Sequence, residues 1–192
     1  MSTVPGYVLA GGRSRRMGRD KATLRPAPHT PTLAQRVAQV VAEAGAQPVV
    51  VVGRQSTLHT LGMPVLPDPQ GVDHHPLYGV AAALFDAAAR GATHALVVPC
   101  DIPDLTVHTL QQLLAAPGAA VAVAGDHIQP LIAKLPTAWA HSARSTADAG
   151  GSARRFVDRD AIQRVRISAQ DAHDLDTPAD LVAWSRRGNR DE

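Results

Sequence analysis

Tyr7-Val8-Leu9-Ala10-Gly11-Gly12-Arg13-Ser14-Arg15-Arg16-Met17-Gly18-Arg19-Asp20-Lys21 is an apolar run that breaks into a glycine-rich, strongly basic loop. The apolar part predicts a buried strand. The paired glycines after it let the backbone turn with φ > 0 and bring its N–H groups against a ligand. Arg13, Arg15, Arg16, Arg19 and Lys21 place five cations within nine residues. Planar guanidinium forks suit phosphate oxygens and a lysine adds a point charge, so the loop reads as a phosphate holder, with a triphosphate as its natural ligand.

Two common phosphate loops do not fit. A Walker A loop has four residues between its glycines and then Gly-Lys-Ser/Thr, whereas here five residues separate Gly12 from Gly18 and Arg19 follows. The dinucleotide fingerprint G-x-G-x-x-G is absent too, because Gly11 and Gly12 are adjacent and no third glycine falls in register. A surface turn with solvated arginines accounts for the charges but not for the order Gly-Gly, Ser, Arg-Met-Gly, Asp-Lys.

Onward from the loop the chain alternates strand and helix. Thr32 with Gln35 forms a capping-box pattern, and Leu33, Val37, Val40, Val41 and Ala44 keep helical spacing up to a stop at Gly45. Pro48 to Gly53 is a continuous β-branched run of the kind buried on both faces of a parallel sheet. A shorter strand is predicted from Met63 to Pro67, ending at Asp68, then a Pro/Gly-rich loop over 67–76, a helix over Leu77–Arg90 and a buried strand over His94–Pro99. That last strand delivers Asp101 to its carboxyl end, where open α/β sheets bind ligands, so the first loop and Asp101 are candidates for one crevice. Beyond it are expected a helix over Val107–Leu114 and strands over Ala119–Ala124 and Gln129–Leu135, joined by a Gly125-Asp126 turn at an antiparallel edge. Residues 145–155 lack apolar anchors and contain Gly150-Gly151, which predicts a mobile loop before a short helix over Ala153–Arg159. Ile162–Ile167 reads as a strand, and Thr177 with Pro178 opens a last helix in which Leu181 and Trp184 share a face. The pattern predicts an α/β three-layer sandwich with a mainly parallel sheet.

Size and composition agree. The 192 residues, 45% hydrophobic and only 3% aromatic, predict one domain spanning 1–192 with a core of alanine, valine and leucine. The formal charge of +2 is concentrated in the first loop and the Arg186–Arg190 tail rather than spread over a basic face with stacking aromatics, which argues against nucleic acid. Cys100 is the sole cysteine, so no internal disulfide forms and the cytoplasm is the expected location. Neither a signal peptide nor an apolar run long enough to span a membrane is evident.

The first loop resembles, at nearly every position, the L-A-G-G-x-S-x-R-M-G-x-D-K signature of the molybdenum cofactor guanylyltransferases of the nucleoside-triphosphate transferase family. The resemblance continues through Leu-Pro-Asp at 66–68, Pro-Leu-Tyr-Gly at 76–79, Pro-Cys-Asp-x-Pro at 99–103, Gln-Pro-Leu-Ile-Ala at 129–133, Arg-Arg-Phe at 154–156 and Asp-Leu-Asp-Thr-Pro at 174–178. It implies a Rossmann-like nucleotidyltransferase fold and transfer of GMP from GTP to molybdopterin, with pyrophosphate released. It also implies partner proteins that supply the cofactor or mature molybdoenzymes. By resemblance, Leu9, Ala10, Gly11, Gly12, Lys21, Asp68 and Asp101 bind the nucleotide, and Arg16, Lys21 and Asp101 are catalytic. Asp101 holds Mg2+ (Mn2+ as a substitute), and Arg154, Arg155, Asp174 and Asp176 face the pterin. The chain departs from the family at Gly53-Arg54, where Asn is usual, and at Asp174 and Asp176, commonly Asn.

Other readings stand beside these. Taken alone, Asp68 reads as a turn cap, and Arg154 and Arg155 fit a solvent-facing helix end as well as a substrate contact. Cys100 reads as a small buried residue without the His partner of a nucleophile. His74 and His75 lack zinc-site spacing. For the whole protein, a CTP-using cofactor transferase, whose loop typically reads Leu-Ala-Ala-Gly, and a non-catalytic nucleotide-binding adaptor are the alternatives. The Gly-Gly form argues against the first, and joint retention of Arg16, Lys21 and Asp101 against the second. In the extended segment before the last helix, Asp174 and Asp176 point one way and Leu175 the other. Asp176 serves there either as a site residue or as a charge favoured by the helix dipole.

Overall fold

The computed structural model describes residues 3–11, 20–68, 75–158 and 160–188. Gly12, Arg16 and the other loop arginines, with His74, lie outside the described residues. The elements run β1 (Gly6–Leu9), α1 (Leu33–Glu43), β2 (Val49–Gly53), α2 (Gln55–Leu58), β3 (Val65–Pro67), α3 (Pro76–Ala89), β4 (His94–Pro99), α4 (Val107–Ala115), β5 (Ala120–Ala124), β6 (His127–Pro136), α5 (Ala140–Asp148), α6 (Ala153–Val157), β7 (Gln163–Ile167) and α7 (Pro178–Gly188). A short 3-10 turn, Lys21–Thr23, follows the first loop.

All seven strands form one sheet in the order β3-β2-β1-β4-β6-β5-β7. β1 pairs in parallel with both β2 and β4, whereas β6 runs antiparallel to β4 and β5. Successive residues of a strand face opposite sides, and that alternation sorts the core. Val8, Val51, Leu96 and Val98 pack with α1 and α4 on one face. Tyr7, Val50, Val52, Ala95 and Val97 pack with α3, α5 and α6 on the other. The result is the expected three-layer α/β sandwich. Because β2 leaves β1 on one side and β4 lies on the other, the strand order reverses between β1 and β4, the place where open α/β sheets take ligands beyond the carboxyl ends of the strands.

Local chemistry explains the boundaries. Thr32 accepts a hydrogen bond from the Gln35 N–H at 3.2 Å while Gln35 Oε1 accepts one from the Thr32 N–H at 2.9 Å, completing the capping box of α1. The helix stops at Gly45, whose φ of +99° an L side chain rarely adopts, and the Ala46 N–H reaches back to the Val41 carbonyl.

Three expectations are corrected. The β5–β6 hairpin turns at Gly125 as predicted, but it lies inside the sheet, with β3 and β7 at the edges. A two-residue turn fixes antiparallel pairing and leaves open which strand meets the rest. β6, with Ile132, Ala133 and Leu135 buried, fits the interior, while β7 alternates buried Val165 with exposed arginines as an edge strand does. The predicted loop at 145–155 is helical at its start, because α5 runs to Asp148 and seats Ala143 and Ala147 against α3. An apolar face made of alanine alone gave no visible stripe. The helix at Ala153 ends at Val157, and Arg159 lies outside the described residues. Among the described residues no helix is long and apolar enough to cross a membrane.

Candidate nucleotide and phosphate site

At the end of β1 the chain is held close to its neighbours. The Ala10 N–H donates to the Val52 carbonyl at 2.7 Å, and the Leu9 carbonyl accepts from the Cys100 N–H at 3.0 Å. Two glycines permit this approach. A Cβ at Gly53 would stand 3.1 Å from the Ala10 backbone, and a Cβ at Gly11 would stand 2.6 Å from Asp68 Oδ2. Gly11 therefore lies against the carboxylate after β3, so Leu9, Ala10, Gly11 and Asp68 gather at the carboxyl ends of the strands.

The far side of the first loop is anchored by Asp20. Its Oδ1 accepts from the Ala22 N–H at 3.1 Å and its Oδ2 from the Thr57 hydroxyl at 2.9 Å, tying the 3-10 turn to α2. This anchor was absent from the sequence reading, although an aspartate ahead of a turn is a recognisable capping residue. Buried Ala22 completes the anchor and leaves Lys21 facing the crevice.

Lys21 Nζ donates to Asp101 Oδ2 at 2.9 Å and to Asp176 Oδ1 at 2.7 Å, with only 14% of its side chain exposed. Burial works against its charge, but the hydrogen bonds and charges of Asp176 and Asp101 outweigh burial and raise its pKa above the ordinary lysine range. The segment carrying Asp176 is fixed by main chain and core together. Leu175 is fully buried and its N–H donates to the Asp101 carbonyl at 2.9 Å. Leu175, Leu33 and Trp184 form a small cluster that seats α7, and the Trp184 indole N–H donates to Asp104 Oδ1 at 2.6 Å. Asp174 has its pKa raised by burial first, then by the negative charges of Asp176 and Asp101. Among the described residues, Asp101, Asp174 and Asp176 outnumber Lys21 here.

Cys100, 6% exposed, has its thiol pKa pushed up by burial and then by Asp101 and Asp20, so it stays protonated and is no nucleophile. His75 caps α3 through Nδ1, which accepts from the Leu77 N–H at 3.2 Å. Arg154 and Arg155 are exposed on α6, away from the Lys21 bracket in sequence and element.

A glycine-tightened turn after β1, a lysine beyond it and a carboxylate at the end of β4 meet at the reversal point of a mainly parallel sheet, where open α/β sheets bind their ligands. Residues 6–167 match the model of the MobA-like NTP transferase domain. The chain is 39% identical over 195 residues to a protein of Opitutus terrae named "Probable molybdenum cofactor guanylyltransferase", covering 99% of this chain and 94% of that one. Its fold is shared with molybdopterin-guanine dinucleotide biosynthesis protein A of Archaeoglobus fulgidus, at TM-score 0.75 and 19% identity over 97% of this chain and 100% of that one. A Mycobacterium tuberculosis H37Rv protein solved as a complex with manganese has TM-score 0.68 and 18% identity, over 96% and 99% of the two chains. The chain belongs to the MobA-like NTP transferase family and is a nucleotidyltransferase.

Proposed function

We propose that the protein, acting as a single domain, transfers GMP from GTP to molybdopterin, giving the guanine dinucleotide cofactor and pyrophosphate. The name of the full-length relative supports guanylyl over cytidylyl transfer. The observation that carries the reading is the Lys21 bracket, which joins the phosphate loop, the end of β4 and the segment before α7 at one point. A phosphate oxygen of molybdopterin attacks the α-phosphorus of GTP, and the bond from that phosphorus to the β-phosphate oxygen breaks. Backbone groups of Leu9, Ala10, Gly11 and Gly12, with Asp68, hold the nucleotide. Arg16 and Lys21 neutralise charge on the phosphates as it shifts to the leaving pyrophosphate. Asp174 and Asp176 face the pterin, with Arg154 and Arg155 on the acceptor side.

The donor set fits a hard divalent cation. Asp101 and Asp176 set carboxylate oxygens around one point, 2.9 and 2.7 Å from Lys21 Nζ, and Mg2+ needs only one or two protein carboxylates because it retains waters. Asp101 would hold Mg2+ or Mn2+, which would supply positive charge to the phosphate oxygens. A cytoplasmic location, and exchange with proteins that supply the cofactor or mature molybdoenzymes, belong to the same reading.

Incubating the protein with Mg2+, molybdopterin and each nucleoside triphosphate, and weighing the product, tests the proposal. A guanine dinucleotide formed from GTP alone is the expected result; a cytidine product or none would overturn it. Gly11→Ala is expected to raise the half-saturating GTP concentration about tenfold or more, since its Cβ displaces either the loop or Asp68 and misplacement near 1 Å is costly. Unchanged GTP titration of that variant would remove the loop from nucleotide binding. Asp174→Ala is expected to raise the half-saturating molybdopterin concentration about 2- to 10-fold, the worth of one hydrogen bond, with GTP nearly unaffected. Equal loss for both ligands, or for neither, would count against the assignment.

A further inference from the structure

We propose that Asp176 is a positioning residue for Lys21: its carboxylate holds the lysine ammonium where the triphosphate is received. This deepens the guanylyl-transfer reading and rests on it. The simpler role for an aspartate at this place is to cap or charge the start of α7, but Asp180 already occupies that role. Its Oδ2 accepts from the Asp176 N–H at 3.0 Å and from the Thr177 N–H at 2.7 Å, and Thr177 Oγ1 returns the bond to the Asp180 N–H. The Asp176 side chain is thereby released from the helix end, and its Oδ1 lies 2.7 Å from Lys21 Nζ.

The support behind Asp176 is rigid on both sides. Leu175 is buried before it and hydrogen-bonded to the Asp101 carbonyl, and the Asp180 cap follows it. A lysine has much rotamer freedom to lose, and a second carboxylate that fixes its head in advance removes part of that loss from substrate binding. Asp101 would divide its charge between Lys21 and the cation it would hold. Asp176 is the more exposed of the two carboxylates that hold Lys21, with 53% of its side chain exposed against 23% for Asp101.

The chain contains only two lysines, Lys21 and Lys134, which makes the test specific. Lys134 is 5% exposed and donates to the carbonyls of Leu114 and Ala116 at the end of α4, so it serves as an internal control. Trace acetylation of the folded protein, read by mass spectrometry, reports how freely each amine is released to react. In Asp176→Asn the Lys21 rate relative to Lys134 is expected to rise about threefold, the scale of a partly exposed ion pair. In the same variant the KM for GTP should rise about 2- to 5-fold, as expected for loss of a partly exposed ion pair, beside any change in the KM for molybdopterin. Asp176→Glu should recover most of both effects by restoring the charge. An unchanged Lys21 rate, or a kinetic effect confined to molybdopterin, would overturn the proposal. A wild-type protein that made no guanine dinucleotide would overturn the proposed reaction instead, while the acetylation comparison would still decide whether Asp176 holds Lys21.

Discussion

Asp101→Asn is expected to fold normally and to lose transfer by about 100-fold or more, with the loss depending on the concentration of Mg2+. The substitution keeps the shape of the side chain and removes its charge. The main-chain carbonyl of Asp101 still accepts from the Leu175 N–H, so the link between the end of β4 and the segment before α7 survives. The Asp101 side chain is 23% exposed and its bond to Lys21 is a partly solvated one, so the thermal midpoint should move little. The cation that would offset the charge on the phosphates, by contrast, would lose the carboxylate that holds it. Comparing thermal midpoints with kcat/KM across a Mg2+ series separates the two effects. Full activity at ordinary Mg2+ would take Asp101 out of the reaction.

Most of what places Asp101 was legible in the sequence because it is encoded locally. A continuous β-branched run such as Val49–Val52, or the apolar His94–Pro99, becomes a strand buried on two faces. Alternation in Asp174-Leu175-Asp176 puts the leucine in the core and the acids outward, as the burial of Leu175 bears out. What escaped was encoded non-locally. Nothing near Asp176 names a lysine 155 positions away as its partner, and nothing near Gly11 reveals that Asp68 closes on its Cα. The position of β6 inside the sheet depends on which strand edges are left after β4 forms. α5 escaped for another reason: its packing face is alanine, which a hydrophobic stripe does not distinguish from a polar surface. Asp20 was visible as part of a motif, but its work of pinning the loop to Thr57 needed the fold.

Lys21→Ala is the second large effect, expected to lower kcat/KM about 100- to 1000-fold, the range for removing a donor that meets charge built up in a transition state. Two consequences of the geometry combine in it. The phosphates lose their fixed ammonium, and Asp101 and Asp176 are left facing one another, with Asp174 nearby, without the cation that now sits between the first two. The fold should persist, because the 3-10 turn is held by the Asp20 cap and by buried Ala22 rather than by Lys21. The stability it does contribute has a definite pH signature. A lysine whose folded-state pKa is raised stabilises fully below its unfolded value and loses that contribution as pH climbs through the raised one, so the wild-type advantage over Lys21→Ala is complete at neutral pH and fades only in the alkaline range. Removing the ammonium should also tighten the carboxylates' hold on Mn2+ in the absence of nucleotide, since the lysine no longer competes for Asp101. Mn2+ titration by electron paramagnetic resonance, run beside the transfer assay, checks both halves: weaker catalysis with unchanged or weaker Mn2+ binding would show that Lys21 and the cation do not share Asp101.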